Sequence, residues 1–252
     1  MNLELIVLFF FIAAVYASAG FGGGSSYLAA MAVFGLGMDT MRPAALLCNI
    51  VVVVGGTWIF WNKGFLNFRK ILPLCAASVP LAFLGGLTPL KEKTFFLLLG
   101  ACLVASALLM MFQKATDASL PLSSNDPANP SPALPVALGG SIGYLSGVVG
   151  IGGGIFLSPV LHLMRWDTPK NIAATASFFI LVNSIFGLAG QFWSGRFQFD
   201  AAFVLPLLAA VLLGGQVGSR LSVFQLRQVQ VRWLTAVLVL YAGVNILLKN
   251  AG

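Results

Sequence analysis

The stretch SGVVGIGGGIFLSP, Ser146 to Pro159, places five glycines and no charged residue inside a long apolar run. That run covers residues 134–164 and is longer than the roughly 20 residues with which one helix crosses a bilayer. Glycine lacks a side chain and adopts backbone conformations that a regular helix excludes. The stretch therefore predicts that a membrane-embedded helix is interrupted here.

The composition of the chain is typical of an integral membrane protein. Of its 252 residues, 59% are hydrophobic and 8% are charged, whereas soluble domains carry roughly 25% charged residues. The long apolar segments do not alternate polar and apolar residues, which excludes a membrane β-barrel. We therefore predict an all-α polytopic membrane protein whose uninterrupted apolar segments are residues 43–61, 72–90, 94–112, 171–193, 201–219 and 229–248.

The glycine-rich stretch occurs twice in the chain. GFGGGSS, which begins at Gly20, matches GIGGGIF, which begins at Gly150, and MDTMRPAALLCN at residues 38–49 matches WDTPKNIAATAS at residues 166–177. Residues 116–135 are rich in Ser, Pro and Asn and lack the apolar surface to fold alone. We predict two homologous repeats of four to five spans, residues 1–113 and 134–252, joined by a linker at 114–133. Each repeat starts with a glycine-broken or re-entrant helix.

Two topologies fit this duplication. If each glycine segment folds back without crossing, each repeat has four spans and the repeats are parallel. If the chain crosses on both sides of each break, each repeat has five spans and the repeats are inverted. Nine of the 14 Lys and Arg residues then share one side, so the positive-inside rule slightly favours the inverted arrangement.

The two breaks also predict a binding site. A helix breaks at membrane depth only where protein or water surrounds the freed backbone groups. Where the helix restarts, its first N–H groups have no intrahelical partner and carry the positive end of the dipole, which favours an anion. Paired broken helices mark the central site of transporters, whereas the alternative role of the glycines is close helix packing. The candidate substrate-binding residues are Gly22, Gly23, Gly24, Ser25, Gly152, Gly153 and Gly154.

Polar residues in the helices that follow the breaks extend the candidate site. They are Asn49, Thr175, Ser177 and Asn183, for which interhelical hydrogen bonding is the alternative role. Arg42 and Lys170 stand near helix starts, where such cations either line a cavity mouth or act as membrane anchors. The predicted spans contain no acidic residue, which favours an anionic or neutral substrate over a cation.

Other functional classes find little support in the sequence. The three cysteines lack metal-ligand spacing and His162 is the only histidine, so we predict no metal, no cofactor and no enzyme activity. The net charge of +7 is spread over the loops, which argues against nucleic-acid binding. The predicted partners are the lipid bilayer, a small anion and protons, and a homo-oligomer is compatible with the sequence.

The two glycine motifs carry a family resemblance. GFGGGSS and GVVGIGGGIFLSPVL, each followed by an Asp-Thr turn and an apolar helix, resemble the sulfite exporter TauE/SafE family, also called the toluene-sulfonate uptake permeases. The resemblance covers both repeats. This chain has Cys48-Asn49 where the family often has Thr-Asn, and Thr175-Ala176-Ser177 where it often has adjacent Thr and Ser.

The resemblance implies a multi-pass carrier of the bacterial inner membrane, coupled to the proton gradient. Its expected substrates are sulfur oxyanions or organosulfonates of the sulfite, thiosulfate or sulfoacetate type. With paired breaks, the expected mechanism is alternating access around a central site. An anion channel and a non-transporting assembly or interaction protein are the alternatives.

Overall fold

The computed structural model describes residues 3–18, 20–112, 133–195, 197–221 and 228–250. These residues form ten α-helices and no strand, which confirms the all-α prediction. The helices are α1 (Leu3–Ser18), α2 (Gly24–Val33), α3 (Met38–Asn62), α4 (Phe68–Leu87), α5 (Glu92–Phe112), α6 (Ala133–Val149), α7 (Gly154–Leu163), α8 (Pro169–Trp193), α9 (Ala201–Leu221) and α10 (Gln228–Asn250).

Five of the described helices, α3, α4, α5, α8 and α9, are long and apolar enough to cross a membrane. The chain is therefore a multi-pass membrane protein. The predicted linker at 114–133 lies outside the described residues, apart from Ala133 at the start of α6. The helices form two series of five, α1–α5 and α6–α10, each of which begins with two shorter helices separated by a glycine segment. Common ancestry of the two series stays a prediction.

The central helices α3 and α8 cross in opposite directions. The Thr57 hydroxyl, late in α3, lies 3.1 Å from the Ser177 hydroxyl, early in α8. At the other end, the Leu46 side chain lies beside Gly187. Because α3 and α8 each begin where the other ends, corresponding helices of the two series enter from opposite sides.

Glycines bring the helices of the two series together. A Cβ added at Gly139, Gly143 or Gly147 of α6 would overlap the backbone of α4, at Leu74, Ser78 and Ala82 in that order. The two helices therefore run parallel at backbone contact. The pair α1 and α9 repeats this arrangement, since Gly214 faces the Phe10 carbonyl and Gly218 faces the Ala14 carbonyl. Small residues permit such close approach between helices in lipid.

Each glycine segment reverses the direction of the chain. Helix α2 begins at Gly24, beside Asn49 in the middle of α3, and its end at Val33 is joined to the start of α3 by four residues. It therefore runs back along the first half of α3. The tip of α1, at Gly20, lies near Ala173 at the start of α8, whereas the tip of α6, at Gly150, lies against Arg42 at the start of α3.

This topology combines features of both sequence alternatives. The segments α1–α2 and α6–α7 fold back, yet the two series run in opposite directions. Three long helices follow each hairpin, and this odd number brings the second hairpin in from the other side. The alternative that combined folded-back segments with parallel repeats was therefore wrong. It counted four spans per repeat, and an even number of crossings would leave the second repeat in the same orientation as the first. Crossing at both breaks was wrong as well, since α2 and α7 have only 10 residues each.

Candidate functional site

The two breaks share left-handed glycines at corresponding positions, and the first pair is Gly20 with φ of 80° and Gly150 with φ of 86°. After α1, the Phe21 amide donates to the Tyr16 carbonyl at 2.9 Å, and after α6 the Gly150 amide donates to the Ser146 carbonyl at 2.8 Å. The residue before each restarted helix is a glycine in the left-handed region, with φ of 86° at Gly23 and 82° at Gly153. A residue with a side chain rarely adopts this conformation, so glycine is required at both positions.

The breaks meet at the side chain of Asn49. Its Nδ2 atom donates to the Ile151 carbonyl in the second break at 2.9 Å. A Cβ added at Gly22 would lie 2.5 Å from Asn49 Oδ1, and one at Gly152 would lie 2.6 Å from Asn49 Nδ2. A Cβ at Gly24 would overlap Asn49 as well. One amide side chain thus fills the space that these glycines leave and connects the two series.

A small hollow opens beside this junction, and we call it the central hollow. Its walls include six of the predicted site residues, Gly22, Gly23, Gly24, Ser25, Asn49 and Gly154, together with Tyr16, Phe21, Ile151 and Ser158. Its cavity volume is about 20 Å³, and one water needs roughly 10–15 Å³ of such space. An oxyanion of four or more heavy atoms therefore enters only if the walls move.

The central hollow offers hydrogen-bond donors that suit an anion, together with one acceptor, Asn49 Oδ1, that does not. The Ser25 side chain is 1% exposed and Asn49 is 0% exposed, and neither Ser25 Oγ nor Asn49 Oδ1 has a hydrogen-bond partner among the described residues. Both belong to the walls of the hollow, as do the starts of α2 and α7. The first amides of a helix have no partner within it, and they carry the positive end of the dipole. The hollow therefore combines two positive helix ends with a buried hydroxyl, next to the Tyr16 hydroxyl, that can donate to an anion.

Of the remaining predicted site residues, Gly152 contacts Asn49 without lining this hollow, and the others lie away from it. Gly153 faces Phe179, and Ser177 bonds Thr57 beside a different hollow. Thr175 is buried, and the buried Asn183 donates from Nδ2 to the Phe179 carbonyl at 2.8 Å.

The two predicted mouth residues occupy different environments. Neither lines the central hollow or the second hollow beside Ser177. Arg42 is 3% exposed and donates from Nη2 to the Gly147 carbonyl at 3.1 Å, close to the negative C-terminal end of α6. Lys170 is exposed, and its ammonium lies 5.7 Å from the centre of the Phe65 ring.

The structure also revises which residues correspond between the series. The sequence match pairs Asn49 with Ser177, but Asp39 lies within α3 whereas Asp167 lies before α8. When the helix starts are superposed, Asn49 corresponds to Ile180, which contacts Gly152 and Gly154 as Asn49 contacts Gly22 and Gly24. The Asp-Thr match was misleading because the two pairs sit at different helix positions.

Sequence reasoning missed several polar neighbours of the breaks. Tyr16 bonds Ser26 at 2.7 Å between hydroxyl oxygens, and the buried Ser184 hydroxyl would lie 3.0 Å from a Cβ at Gly152. Ser158 lines the central hollow from α7. Their signal in the sequence was a hydroxyl inside an apolar helix. Such hydroxyls are common in membrane helices, so that signal is weak.

Asp167 forms a polar cluster outside the spans, in the loop before α8. Its carboxylate accepts from Lys70 Nζ at 2.8 Å, from the Thr168 amide at 2.7 Å and from Asn171 Nδ2 at 2.9 Å. Burial by itself raises the pKa of Asp167, but these hydrogen bonds and the charge of Lys70 outweigh it, so the pKa lies below its usual value. The cluster ties the α7–α8 loop to the start of α4.

Known membrane proteins match the chain along nearly its whole length. Residues 5–246 match the family model described as "Sulfite exporter TauE/SafE". The chain is 33% identical over 246 residues to "Probable membrane transporter protein y4hK" of Sinorhizobium fredii, which covers 96% of this chain and 97% of that protein. It is 23% identical over 234 residues to "Probable membrane transporter protein YjnA" of Bacillus subtilis, with coverage of 88% and 92%. No solved structure matches the chain.

Proposed function

Because the chain belongs to the sulfite exporter TauE/SafE family, we propose that it carries small sulfur oxyanions or organosulfonates across the bacterial inner membrane. Relatives named as probable membrane transporters support a transport role. The family description supports sulfite and similar anions as the substrate class.

One observation carries the proposal. Two helix starts, at Gly24 and Gly154, border the same buried hollow, and the Ser25 hydroxyl beside them has no partner among the described residues. An unpartnered hydroxyl at a buried site costs free energy that a bound oxyanion recovers. Helix N-termini are recurrent anion sites because their amides and dipoles favour negative charge. Ser25 and the amides of α2 and α7 are the proposed donors, with Asn49 holding the two breaks together.

The charge of the hollow favours a singly charged substrate. None of the described residues that line it carries a formal charge. Each helix N-terminus supplies about half an elementary charge, so two of them offset about one negative charge. A sulfonate or hydrogensulfite ion therefore fits this site better than sulfate.

Alternating access follows from the two hairpins. The hollow is too small for an oxyanion, so α2 or α7 must move before the substrate enters or leaves. The hairpins enter from opposite sides and meet at Asn49, and rocking of one series against the other then exposes the site to each side in turn. Coupling to the proton gradient is part of the proposal.

The test is uptake by purified protein in proteoliposomes. Sulfite, thiosulfate, sulfoacetate and taurine are compared with and without an imposed pH gradient. A carrier gives saturable uptake that the gradient drives. Flux that rises linearly with concentration indicates a channel, and no uptake of any of these compounds indicates a non-transporting membrane protein.

Two serine variants locate the site. Removing the unpartnered hydroxyl in Ser25→Ala is expected to raise KM roughly tenfold, since hydrogen bonds to charged groups contribute about 1.5–3 kcal/mol. The matched control is Ser141→Ala in α6, whose exposed hydroxyl bonds carbonyls of its own helix. Equal KM values for the two variants would remove Ser25 from the binding site.

A further inference from the structure

A second hollow lies on the other side of the first break, and we call it the outer hollow. It is bordered by the tip of α1, the second half of α3, the start of α8 and the last turns of α9. Its polar side chains are Ser177, Gln216 and Ser219. The last two lie in the final two turns of α9, and the exposed Arg220 follows them directly.

The three polar side chains among the otherwise apolar and glycine walls of the outer hollow fit an aqueous entrance. Gln216 is an exposed amide within the apolar span Ala201–Arg220, where contact with lipid is unfavourable for a polar group. Contact with water in a hollow removes that cost. The backbone of Gly55 and Gly56 forms the opposite wall, and the positive charge of Arg220 near the end of α9 attracts anions. The outer hollow thus provides a polar route from the end of α9 towards the break.

The two hollows meet at one side chain. Of the described residues, Phe21 alone lines both the central and the outer hollow. It lies between Gly20 and Gly22, outside any helix, and its amide is tied to the Tyr16 carbonyl at 2.9 Å. The backbone is therefore anchored, and the partly buried Phe21 borders two spaces that are each large enough for about one water.

We propose that the outer hollow is the entrance vestibule for the oxyanion and that the Phe21 ring is the barrier between it and the central hollow. This inference rests on the proposed transport function. An anion that passes an apolar constriction loses its hydration, which is how hydrophobic constrictions gate by dewetting. Rotation of the ring, or movement of the α1 tip that carries it, opens the passage. In the second break the corresponding residue, Ile151, lines only the central hollow.

Thiol labelling tests the path without knowledge of the substrate. The three native cysteines, all buried, are replaced by alanine, and single cysteines are placed at Ser25→Cys and Gln216→Cys. The probe is the anionic, membrane-impermeant reagent sulfonatoethyl methanethiosulfonate. Gln216→Cys is expected to react quickly, and Leu213→Cys, an exposed position of α9 outside the hollow, serves as the lipid-facing control. Equal reaction rates at the two positions would overturn the vestibule.

The barrier is tested by changing Phe21 in the Ser25→Cys protein. Phe21→Ala is expected to raise the labelling rate of Ser25→Cys roughly tenfold, the factor that a barrier change of about 1.4 kcal/mol produces. Phe21→Trp is expected to slow it, which keeps the test decisive should the alanine variant fail to insert. Phe11→Ala, which removes an exposed ring from α1, is the matched control. An unchanged labelling rate in Phe21→Ala or in Phe21→Trp would overturn the barrier.

Transport separates this inference from the proposed function. In proteoliposomes, Phe21→Ala is expected to leak preloaded sulfite roughly tenfold faster than wild type and to lose gradient-driven accumulation. If the wild-type protein shows no uptake but the cysteine variants show the expected labelling pattern, the proposed function is wrong and the outer hollow remains an aqueous path. Normal accumulation by Phe21→Ala in an otherwise active protein would contradict the barrier role of Phe21 and leave the proposed transport function unaffected.

Discussion

The two glycine breaks share left-handed glycines at two corresponding positions and differ in their side chains. Both carry a left-handed glycine before a helix of 10 residues. The first break, however, has Asn49 on the adjacent long helix, whereas the second has Ile180 at the corresponding place. Phe21 in the first break lines two hollows, while Ile151 in the second offers its carbonyl to Asn49.

This difference distinguishes the glycines that the fold requires from the polar side chains that the proposed site requires. The glycines recur because the reversal of the chain requires them in both series. The polar side chains do not recur, so we expect binding to depend mainly on the first break, with the second break contributing backbone and a helix dipole. Substitutions at corresponding positions should therefore have unequal effects.

The largest difference is expected between Gly24→Ala and Gly154→Ala. A Cβ at Gly24 would overlap Asn49 and lie 2.5 Å from the Ile151 carbonyl, whereas a Cβ at Gly154 would overlap the apolar side chain of Ile180 and no polar group of the junction. The Gly24 change displaces the junction, and a displacement of about 1 Å costs roughly a hundredfold in rate. The initial uptake rate should fall by about that factor in Gly24→Ala and by less than about tenfold in Gly154→Ala.

A third glycine provides the control for this pair. Gly37 lies in the loop before α3, where an added Cβ would have Glu92 as its nearest neighbour at 3.7 Å, an ordinary contact. Gly37→Ala should therefore transport as wild type does. Size-exclusion profiles in detergent establish that all three variants insert and fold. Equal losses at Gly24 and Gly154 would contradict the unequal roles of the two breaks.

The sequence predicted the breaks better than it predicted the side chains around them. GGG inside an apolar run has few physical explanations, so the interruptions near Gly23 and Gly153 were predictable. Asn49 was found because it is a polar residue far enough into the helix after the break to reach the broken segment. Its contact with the Ile151 carbonyl joins residues 102 positions apart, and no local pattern indicates such a pairing. Phe21 gave no signal, because an aromatic residue in a membrane segment is ordinary.

The second comparison concerns Asn49 and Ile180. Asn49→Leu leaves the Ile151 carbonyl without its donor and removes an acceptor beside Gly22. An unsatisfied buried group costs about 1–3 kcal/mol, so uptake should fall by roughly thirtyfold. Ile180→Leu keeps volume and polarity, and such exchanges cost less than about 1.5 kcal/mol. Uptake assays on both variants measure the contrast, and a similar loss in both would indicate that Asn49 acts by packing alone.

Arg42 in the first series and Lys170 in the second allow a smaller test of the difference between the two series. Arg42→Gln removes a buried guanidinium from the Gly147 carbonyl at the end of α6, so unfolding in detergent should become easier by about 1–2 kcal/mol. Lys170→Glu changes an exposed residue outside both hollows, and its KM for substrate should match wild type. Thermal unfolding followed by tryptophan fluorescence measures the first effect and uptake kinetics the second. A raised KM in Lys170→Glu would indicate that Lys170 lines the mouth of the substrate cavity.

The smallest effect is expected at Asp167, which has no acidic counterpart in the first series because Leu36 occupies the corresponding place before α3. The pKa of Asp167 lies below its ordinary value of 3.8, so the folded protein holds the ionised form more strongly than the unfolded chain does. Its stabilisation is complete above pH 3.8 and is lost as the pH falls through the lower folded-state pKa. Asp167→Asn should therefore lower the melting temperature at neutral pH by an amount worth less than about 1 kcal/mol, since Lys70 is largely solvated. The difference from wild type should vanish in acid, and a difference that persists there would assign the effect to the hydrogen bonds with Thr168 and Asn171 instead of the charge.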